Sequence, residues 1–371
     1  MKYLLSLSKQ NLKLSLFEAL ELLDVKKYEL NENFLVVDIN DKNKARKDTF
    51  EKSKSTKDTP KKEILNIFKR LAYTNYVDEV LFESSLKDLV GKIKLFNWQE
   101  HYSTNFCVRT INIEHENEKK YAGIIWNKLK APKVNLTTPK TLFVFVKADA
   151  KIYATKLLWK NPKTFLKRKA HLRPALHPSS LDPRLAKACV NIAVGMKDIA
   201  TAVKNKDKIK GAEVKDNRSK TTAKITMKTS AEITVLDPFC GSGGILIEAG
   251  LMGFNIVGCD IDKEMLIRAK TNLRHYKIKK FSLELHDALK LNRQVDAIVT
   301  DIPYGLNTKP VDIDKLLKQF LKKAYLYTKQ MIIAFPSTIK YRKLLGKWKL
   351  KKEFEYYIHK SLTKRIILVG R

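Results

Sequence analysis

Four aspartates each follow a short apolar stretch between residues 233 and 305, so their spacing could gather them in one place. Asp237 follows 233–236, Asp260 follows 255–258, Asp287 follows 282–285 and Asp301 follows 297–300. We interpret the stretches as parallel strands separated by helical segments, the pattern of a doubly wound α/β sheet. Ligands of such sheets bind beyond the carboxyl ends of the strands, so the four carboxylates are predicted to line one crevice.

A glycine-rich loop, Asp237-Pro-Phe-Cys-Gly-Ser-Gly-Gly244, follows the first stretch. It supplies two glycines of the dinucleotide motif G-x-G-x-x-G, but Leu246 stands at the third position. A carboxylate at the start of the loop would repel a phosphate and suits a cationic amine instead. S-adenosylmethionine carries an ammonium and no phosphate, so it is the predicted cofactor. The loop residues predicted to bind it are Asp237, Pro238, Phe239, Gly241 and Gly243.

The next two strand ends complete the predicted nucleoside site. Asp260 is placed to accept both ribose hydroxyls, and Ile261 to lie against one face of the adenine. Asp287, followed by Ala288, is placed to accept from the adenine amino group. A single aspartate is more often a helix cap or a salt-bridge partner, but three on successive strand ends beside such a loop favour a cofactor site.

The fourth strand end, Asp301-Ile-Pro-Tyr-Gly305, predicts a site for an amine substrate. The exocyclic amine of a nucleobase is a weak nucleophile because its lone pair is delocalised into the ring. Asp301 and the carbonyl of Ile302 could each accept one N–H and so localise that lone pair. Pro303 would fix the turn and Tyr304 would stack on the base. The alternative is an ordinary strand-to-loop turn with a buried tyrosine.

The charge of the chain predicts a polyanionic partner. Lysine and arginine number 73 against 39 acidic residues, a net charge of +34 over 371 residues. Nucleic acid is the leading partner and an acidic membrane surface the second, while a lysine-rich proteome is the alternative explanation. The four cysteines form no C-x-x-C pair, so no metal or disulfide is expected. No apolar run reaches the about 20 residues of a membrane span, and 1–8 is too short for a signal peptide, so we expect a soluble cytoplasmic protein.

The chain order predicts small α/β modules before the doubly wound domain. We place the first at 1–85, with a disordered basic insertion at 40–62, and the second at 86–165. A basic linker with a lead-in helix fills 166–230, and the catalytic sheet fills 231–371, closed by an antiparallel hairpin of 354–359 and 365–369.

These motifs resemble the amino-methyltransferases that carry an Asp-Pro-Pro-Tyr type signature. The whole chain is similar to the archaeal THUMP-domain tRNA guanosine N2-methyltransferases, the guanine-10 group. The resemblance is most specific over Leu236–Ala249, and weaker in Tyr3–Leu7, in Asn105–Arg109 and in the connector that contains Arg173-Pro and His177-Pro-Ser-Ser-Leu181. Ile302 departs from the family signature by replacing its first proline.

The resemblance implies a Rossmann-like methyltransferase sheet preceded by a ferredoxin-like domain and a THUMP module that grips the acceptor end of tRNA. It also implies methylation of guanine N2 at position 10 and a place near the cofactor for 177–181, for which a rigid linker is the alternative. RNA contacts are expected from Arg109, Lys167, Arg168 and Arg173. We expect a monomer, without excluding a partner subunit. Two other functions stay open: an adenine-N6 methyltransferase acting on RNA or DNA, and a non-catalytic RNA-binding protein.

Overall fold

The computed structural model describes residues 1–39, 59–177, 180–195, 230–303 and 312–371. The chain divides into two compact units. The first comprises Met1–Leu20 and Val25–Pro162, and the second comprises Glu21–Asp24 and Lys163–Arg371. The predicted insertion at 40–62 lies outside the described residues up to residue 58, and most of the predicted linker, 196–229, lies outside them as well.

A seven-stranded sheet forms the first unit. Its strands are β1 (Lys2–Leu7), β2 (Tyr28–Asn31), β3 (Phe34–Asp38), β4 (Thr74–Ser84), β5 (Phe106–Ile111), β6 (Thr141–Ala148) and β7 (Lys151–Lys160). They lie in the order β2-β3-β1-β4-β7-β6-β5. Neighbouring strands are antiparallel except β5 and β6, which are parallel. The helices described along this part of the chain are α1 (Leu12–Leu23), α2 (Thr59–Arg70), α3 (Leu89–Leu95) and α4 (Glu116–Trp126).

The sheet is continuous across the boundary that we predicted at residue 85. Strand β4 ends at Ser84 and pairs with β1 on one side and with β7 on the other. The division of 1–165 into a ferredoxin-like and a THUMP part therefore stays a prediction. The sequence pattern did not predict β2, α3 or α4. Helices α3 and α4 each bury only two side chains, Leu89 and Ile93 in one and Tyr121 and Ile125 in the other, too few to show a helical period.

The core of this unit forms where the alternating apolar side chains of β5 and β6 meet α3 and α4. Trp98 is fully buried there and packs edge-to-face on Phe143, with ring centroids 4.8 Å apart. Its indole Nε1 donates to the Ile93 carbonyl at 2.8 Å, so the one polar atom of the ring is satisfied. The sequence pattern also predicts strands at 2–7, 105–113, 142–147 and 151–158, and the structure confirms each of them to within two residues at either end.

The second unit contains the predicted doubly wound sheet. Its strands are β8 (Thr234–Asp237), β9 (Asn255–Asp260), β10 (Phe281–Leu285), β11 (Ala297–Asp301), β12 (Gln330–Pro336), β13 (Lys349–His359) and β14 (Leu362–Gly370). Their order is β10-β9-β8-β11-β12-β14-β13. The first five are parallel, whereas β14 runs antiparallel to both β12 and β13. The α/β fold with its antiparallel terminal hairpin is confirmed.

The helices described in this unit are α5 (Pro183–Ala193), α6 (Gly244–Leu251), α7 (Lys263–His275) and α8 (Ile313–Ala324). Asp182 caps α5 by accepting from the amide of Arg184 at 2.9 Å, and Pro183 occupies the first turn, where its missing N–H costs nothing. Helix α5 is almost entirely buried and packs on α6 and on the sheet. The predicted lead-in helix is therefore part of the core of the second unit.

Candidate active site

The sheet brings the four predicted aspartates to one edge. Leu285, at the end of β10, pairs with Asp260 on β9, and Asp237 on β8 pairs with Gly258. Asp301 ends β11, on the other side of β8. Because these four strands are parallel and adjacent, their carboxyl ends form a single rim, as the spacing of the sequence predicted.

Asp237 is buried at the centre of this rim. Its Oδ1 accepts from the amide of Phe239 at 3.2 Å and from the hydroxyl of Thr300 at 2.7 Å. Among the described residues, no hydrogen bond reaches Oδ2. Burial, with smaller contributions from the charges of Asp301 and Asp260, raises the pKa of Asp237 to about 7, although the two hydrogen bonds oppose this shift. The site is therefore an anionic pocket that would be stabilised by a cation.

The glycine loop needs two left-handed backbone positions. Gly241 has φ +49° and Gly243 has φ +83°, where a β-carbon is disfavoured. A side chain on Gly243 would also approach the β-carbon of Ala269 to 3.3 Å. Gly243 precedes the first turn of α6. Pro238 is buried, and the ring of Phe239 packs edge-to-face on that of Phe320, with centroids 5.1 Å apart. Both residues therefore anchor the start of the loop in the core.

The carboxylate of Asp260 ties the glycine loop to the end of β9. Its Oδ2 accepts from the amide of Gly241 at 2.8 Å, and its Oδ1 accepts from the amide of Asp262 at 3.0 Å. Burial raises its pKa, and these backbone hydrogen bonds oppose the shift. The adjacent Ile261 is 77% exposed. An apolar side chain held open to solvent at a ligand-binding rim offers a surface for a flat apolar group.

Asp287 caps a short helical turn and is also a candidate residue for binding the cofactor. Its Oδ1 accepts from the amide of Leu289 at 2.9 Å and so closes the single turn Ala288–Lys290. Ala288 is buried beneath it. The carboxylate stays partly exposed, so Asp287 can still accept a hydrogen bond from a ligand.

Asp301 lies beside an unpredicted cation. Its Oδ2 is paired with the ammonium of Lys364, which reaches it from β14. Its Oδ1 is buried and has no hydrogen-bond partner among the described residues. The amide of Ile302 donates to the carbonyl of Ala334 at 3.0 Å, and its side chain is fully buried. Pro303 is exposed, whereas Tyr304 lies outside the described residues.

The four arginines and lysines predicted to bind RNA fall into two groups. Arg109, in the first unit, is 41% exposed and donates to Glu118 at 3.3 Å, and Lys167 is exposed. Arg168 instead forms a bidentate pair with Glu248 of α6, both bonds being 2.7 Å, and Arg173 is only 4% exposed. Guanidinium groups buried in this way cannot reach a phosphate backbone, so the RNA-contact prediction is wrong for Arg168 and Arg173.

The connector before α5 does reach the cofactor loop. The hydroxyls of Ser180 and Ser242 lie 2.9 Å apart. Asn272 of α7 donates from Nδ2 to the carbonyls of Ser242 at 2.9 Å and of Ala175 at 3.0 Å, which joins connector, loop and helix. A place near the cofactor for this segment stays a proposal.

Two residues of the site, Thr300 and Lys364, were not predicted from the sequence. A strand threonine carries no signal of its own, so Thr300 could not be singled out. Lys364 did leave a signal, because strict alternation along β14 places it on the same face as Leu362 and Ile366. All three are buried, so a charged residue in that register marks an inward-pointing cation.

Two features of the described residues bear on partners. Within those ranges, no helix is long and apolar enough to cross a membrane. Nor does that part of the chain gather three or more histidine, cysteine or acidic side chains in a way that could hold a metal ion.

Comparison with known proteins gives concordant matches. The family model described as an RMKL-like methyltransferase domain matches residues 226–366. The tRNA (guanine(10)-N2)-dimethyltransferase of Methanothermobacter thermautotrophicus is 31% identical over 327 residues, which cover 85% of this chain and 87% of that protein. The protein of the same name from Pyrococcus abyssi is 31% identical over 326 residues, covering 81% and 85%.

Among solved structures, TrmN from Thermus thermophilus is similar over 100% of both chains, with 16% sequence identity and a TM-score of 0.49. The two archaeal relatives, which match along most of their length, are the matches that bear on family.

Proposed function

Because the chain belongs to the family of tRNA (guanine(10)-N2)-dimethyltransferases, we propose that it methylates the exocyclic N2 of a guanine in tRNA, using S-adenosylmethionine. The guanine at position 10 is the target that the names of the relatives indicate. The observation that carries the assignment of the site is the buried Oδ1 of Asp301, an acceptor that lies unpaired among the described residues at the rim where the cofactor residues meet.

The cofactor is held by the rim of β8, β9 and β10. Asp237 receives the ammonium of the methionine moiety, which supplies the cation that this buried carboxylate lacks. Asp260 accepts the ribose hydroxyls, since each of its oxygens has a lone pair beyond the one that binds a backbone amide. Ile261 covers the adenine, and Asp287 accepts from its amino group. The fit of these residues to the cofactor rests on a cradle of anionic and apolar groups and on the open glycine loop.

When bound, S-adenosylmethionine supplies a sulfonium methyl group: the N2 lone pair forms the N–C bond, the C–S electron pair stays on sulfur, and N2 loses one proton. Asp301 Oδ1 accepts one N–H of the guanine amine, and the carbonyl of Ile302 accepts the other. These two acceptors localise the lone pair and orient it. Asp301 also takes up or passes on the proton that N2 loses. Positioning and electrostatics in a water-poor pocket account for most of the rate.

Two sequence features complete the proposal. Pro303 stiffens the turn after Ile302, and Tyr304 stacks on the guanine. The half-buried Arg109 and the exposed Lys167, together with the net charge of +34, attract the tRNA backbone. The protein acts in the cytoplasm as a monomer.

The decisive test combines product analysis with an isosteric variant. Unmodified tRNA and methyl-labelled cofactor are incubated with the protein, and the labelled nucleoside is identified. We expect methylated guanosine N2 at position 10. Asp301→Asn should lower the single-turnover rate by about 10²-fold or more, because the neutral amide accepts hydrogen bonds more weakly and cannot take up the proton. Its tRNA affinity should change by less than about threefold, since phosphate contacts dominate binding.

Asp314→Asn is the matched control, because Asp314 is an exposed aspartate in the first turn of α8 to which no role in the site is assigned. It should react at the wild-type rate. Full activity of Asp301→Asn would remove the assigned role of Asp301. Labelled N6-methyladenosine as the product would replace the proposed function with adenine methylation, and no labelled product would favour a purely RNA-binding protein.

A further inference from the structure

A lysine is buried beside the catalytic strand end. The side chain of Lys364 is 3% exposed and that of its partner Asp301 is 12% exposed. Lys364 pairs with Pro336 of β12, whereas Asp301 pairs with Ala334 two residues earlier on the same strand. The lysine therefore reaches across β12 to Asp301. Lysine is almost never fully buried unless it is paired, so the burial of Lys364 depends on its contact with Asp301 and not on packing alone.

The contact makes the two oxygens of Asp301 unequal. Oδ2 is paired with the Lys364 ammonium, and Oδ1 is buried without a hydrogen-bond partner among the described residues. A carboxylate anchored through one oxygen cannot rotate freely, so its other oxygen points in one direction. One directed acceptor matches one N–H of an exocyclic amine, which is what orientation of the lone pair requires.

Burial disfavours the ionised form of Asp301, and Lys364 opposes that effect. Burial raises the pKa of Asp301, and the ammonium of Lys364 lowers it. On β8 the carboxylate of Asp237 interacts with Asp301 as a like charge. On β12 the neighbouring residue is the uncharged Ala334. Of the described groups that face Asp301, Lys364 is the one that favours its ionised form.

We propose that Lys364 is a positioning residue for methyl transfer, which holds Asp301 ionised and turned so that Oδ1 alone faces the substrate amine. This inference rests on the proposed function of Asp301 as the acceptor of the guanine N–H. Lys364 itself does not touch the substrate. Its effect is transmitted through the charge and the orientation of Asp301.

The test separates charge from hydrogen bonding. Lys364→Arg keeps the charge, Lys364→Gln keeps a hydrogen-bond donor without charge, and Lys364→Met removes both. Single-turnover methyl transfer to tRNA is measured with saturating cofactor from pH 6 to pH 10. In Lys364→Met and Lys364→Gln the single-turnover rate near pH 7 should be lower by about 10²-fold or more, and it should recover as the pH rises. The reason is that the acidic limb of the pH–rate profile, where the rate falls as Asp301 is protonated, moves up by about one pH unit or more. Lys364→Arg should keep the limb in place.

Lys349→Met is the control, since Lys349 is an exposed lysine on the neighbouring β13. It should leave the rate and its pH profile unchanged. A merely structural lysine would give variants that melt earlier but keep the wild-type limb, and that result would overturn the proposal. Wild-type activity of Lys364→Gln near pH 7 would overturn it as well. If Lys364→Met does not fold, the glutamine and arginine pair still decides the matter.

The two proposals fail in different ways. A wild-type product other than N2-methylguanosine contradicts the proposed function whatever the variants do. A normal product with an unmoved acidic limb in Lys364→Gln contradicts only the role of Lys364.

Discussion

At the residue scale, the site is a cluster of carboxylates whose ionised forms would be stabilised by cations. Asp237 and Asp301 are both buried and interact as like charges, and Asp260 adds a third. The protein supplies a cation to Asp301 through Lys364, whereas the partners of Asp237 among the described residues are neutral donors, Thr300 and the amide of Phe239. Asp237 is thus the carboxylate of this cluster that we propose pairs with the cofactor ammonium.

Cofactor affinity should therefore depend on the ionisation of Asp237. Its pKa is raised from 3.8 to about 7 by burial, so below pH 7 a proton must leave before the carboxylate can pair with an ammonium. We expect the Kd for S-adenosylmethionine, measured by equilibrium dialysis, to fall about tenfold per unit between pH 5.5 and pH 7. Asp237→Asn should bind weakly with no slope over this range, and a wild-type protein with a flat profile would contradict the assignment.

The same shift has the opposite sign for the stability of the unliganded protein. A carboxyl group whose folded-state pKa is raised stabilises the fold below its ordinary pKa of 3.8, and this contribution is lost as the pH rises through 7. Cofactor binding should offset the loss. The shift of the melting temperature by added cofactor should accordingly be larger at pH 7.5 than at pH 6.

At the element scale, the connector before α5 is fastened to the helix that follows the glycine loop. Arg168 and Glu248 form a bidentate pair with side chains 11% and 1% exposed. Such a pair contributes little net stability over an apolar replacement, but losing one partner leaves a buried charge. The pair therefore specifies how the connector lies on α6, beside the loop that holds the cofactor.

This geometry predicts an asymmetric cycle of variants. Arg168→Ala should lower the free energy of unfolding by about 3–5 kcal/mol in urea denaturation, because Glu248 would stay buried and unpaired. Arg168→Met combined with Glu248→Leu should recover most of that loss. Lys169→Ala, an exposed neighbour, should be neutral. A double variant as unstable as Arg168→Ala would show that the pair does more than neutralise charge.

Elements were predictable from sequence where the pattern was both local and repeated. The four strands of the catalytic sheet and their terminal aspartates follow from short apolar stretches with a polar residue after each. The expectation for Arg168 and Arg173 failed because the local sequence of a basic, proline-rich segment does not show whether its charges face solvent or a buried partner. The partner of Arg168 is a buried glutamate 80 residues away. The partner of Asp301 was equally out of reach, since a contact between residues 63 apart leaves no trace in local spacing.

At the scale of the whole molecule, the charge of +34 is far larger than one active site needs. Each unit carries a part of it, and in the catalytic unit the basic side chains of Arg168, Arg173 and Lys364 are turned inward. The exposed lysines are the groups available to a polyanion. Charge on this scale acts at long range and sets encounter more than specificity.

Binding of tRNA should therefore weaken steeply with salt. If about six phosphates are contacted, a plot of log affinity against log salt concentration should have a slope of about −5, because each contact releases counterions. Fluorescence anisotropy with labelled tRNA between about 50 and 200 mM salt measures this slope. Lys167→Ala should make the slope shallower by about one unit, whereas a shallow wild-type slope would remove the basic surface from tRNA binding.

The position of Lys364 on β14 also sets an order of events during translation. The ribosome makes Asp301 first, and its counter-ion 63 residues later, on a strand that must enter between β12 and β13. A nascent polypeptide thus contains every predicted cofactor residue at a stage when Asp301 still lacks the Lys364 ammonium. Because Lys364 is proposed to position Asp301, full methyl-transfer activity is expected only once β14 has paired with β12.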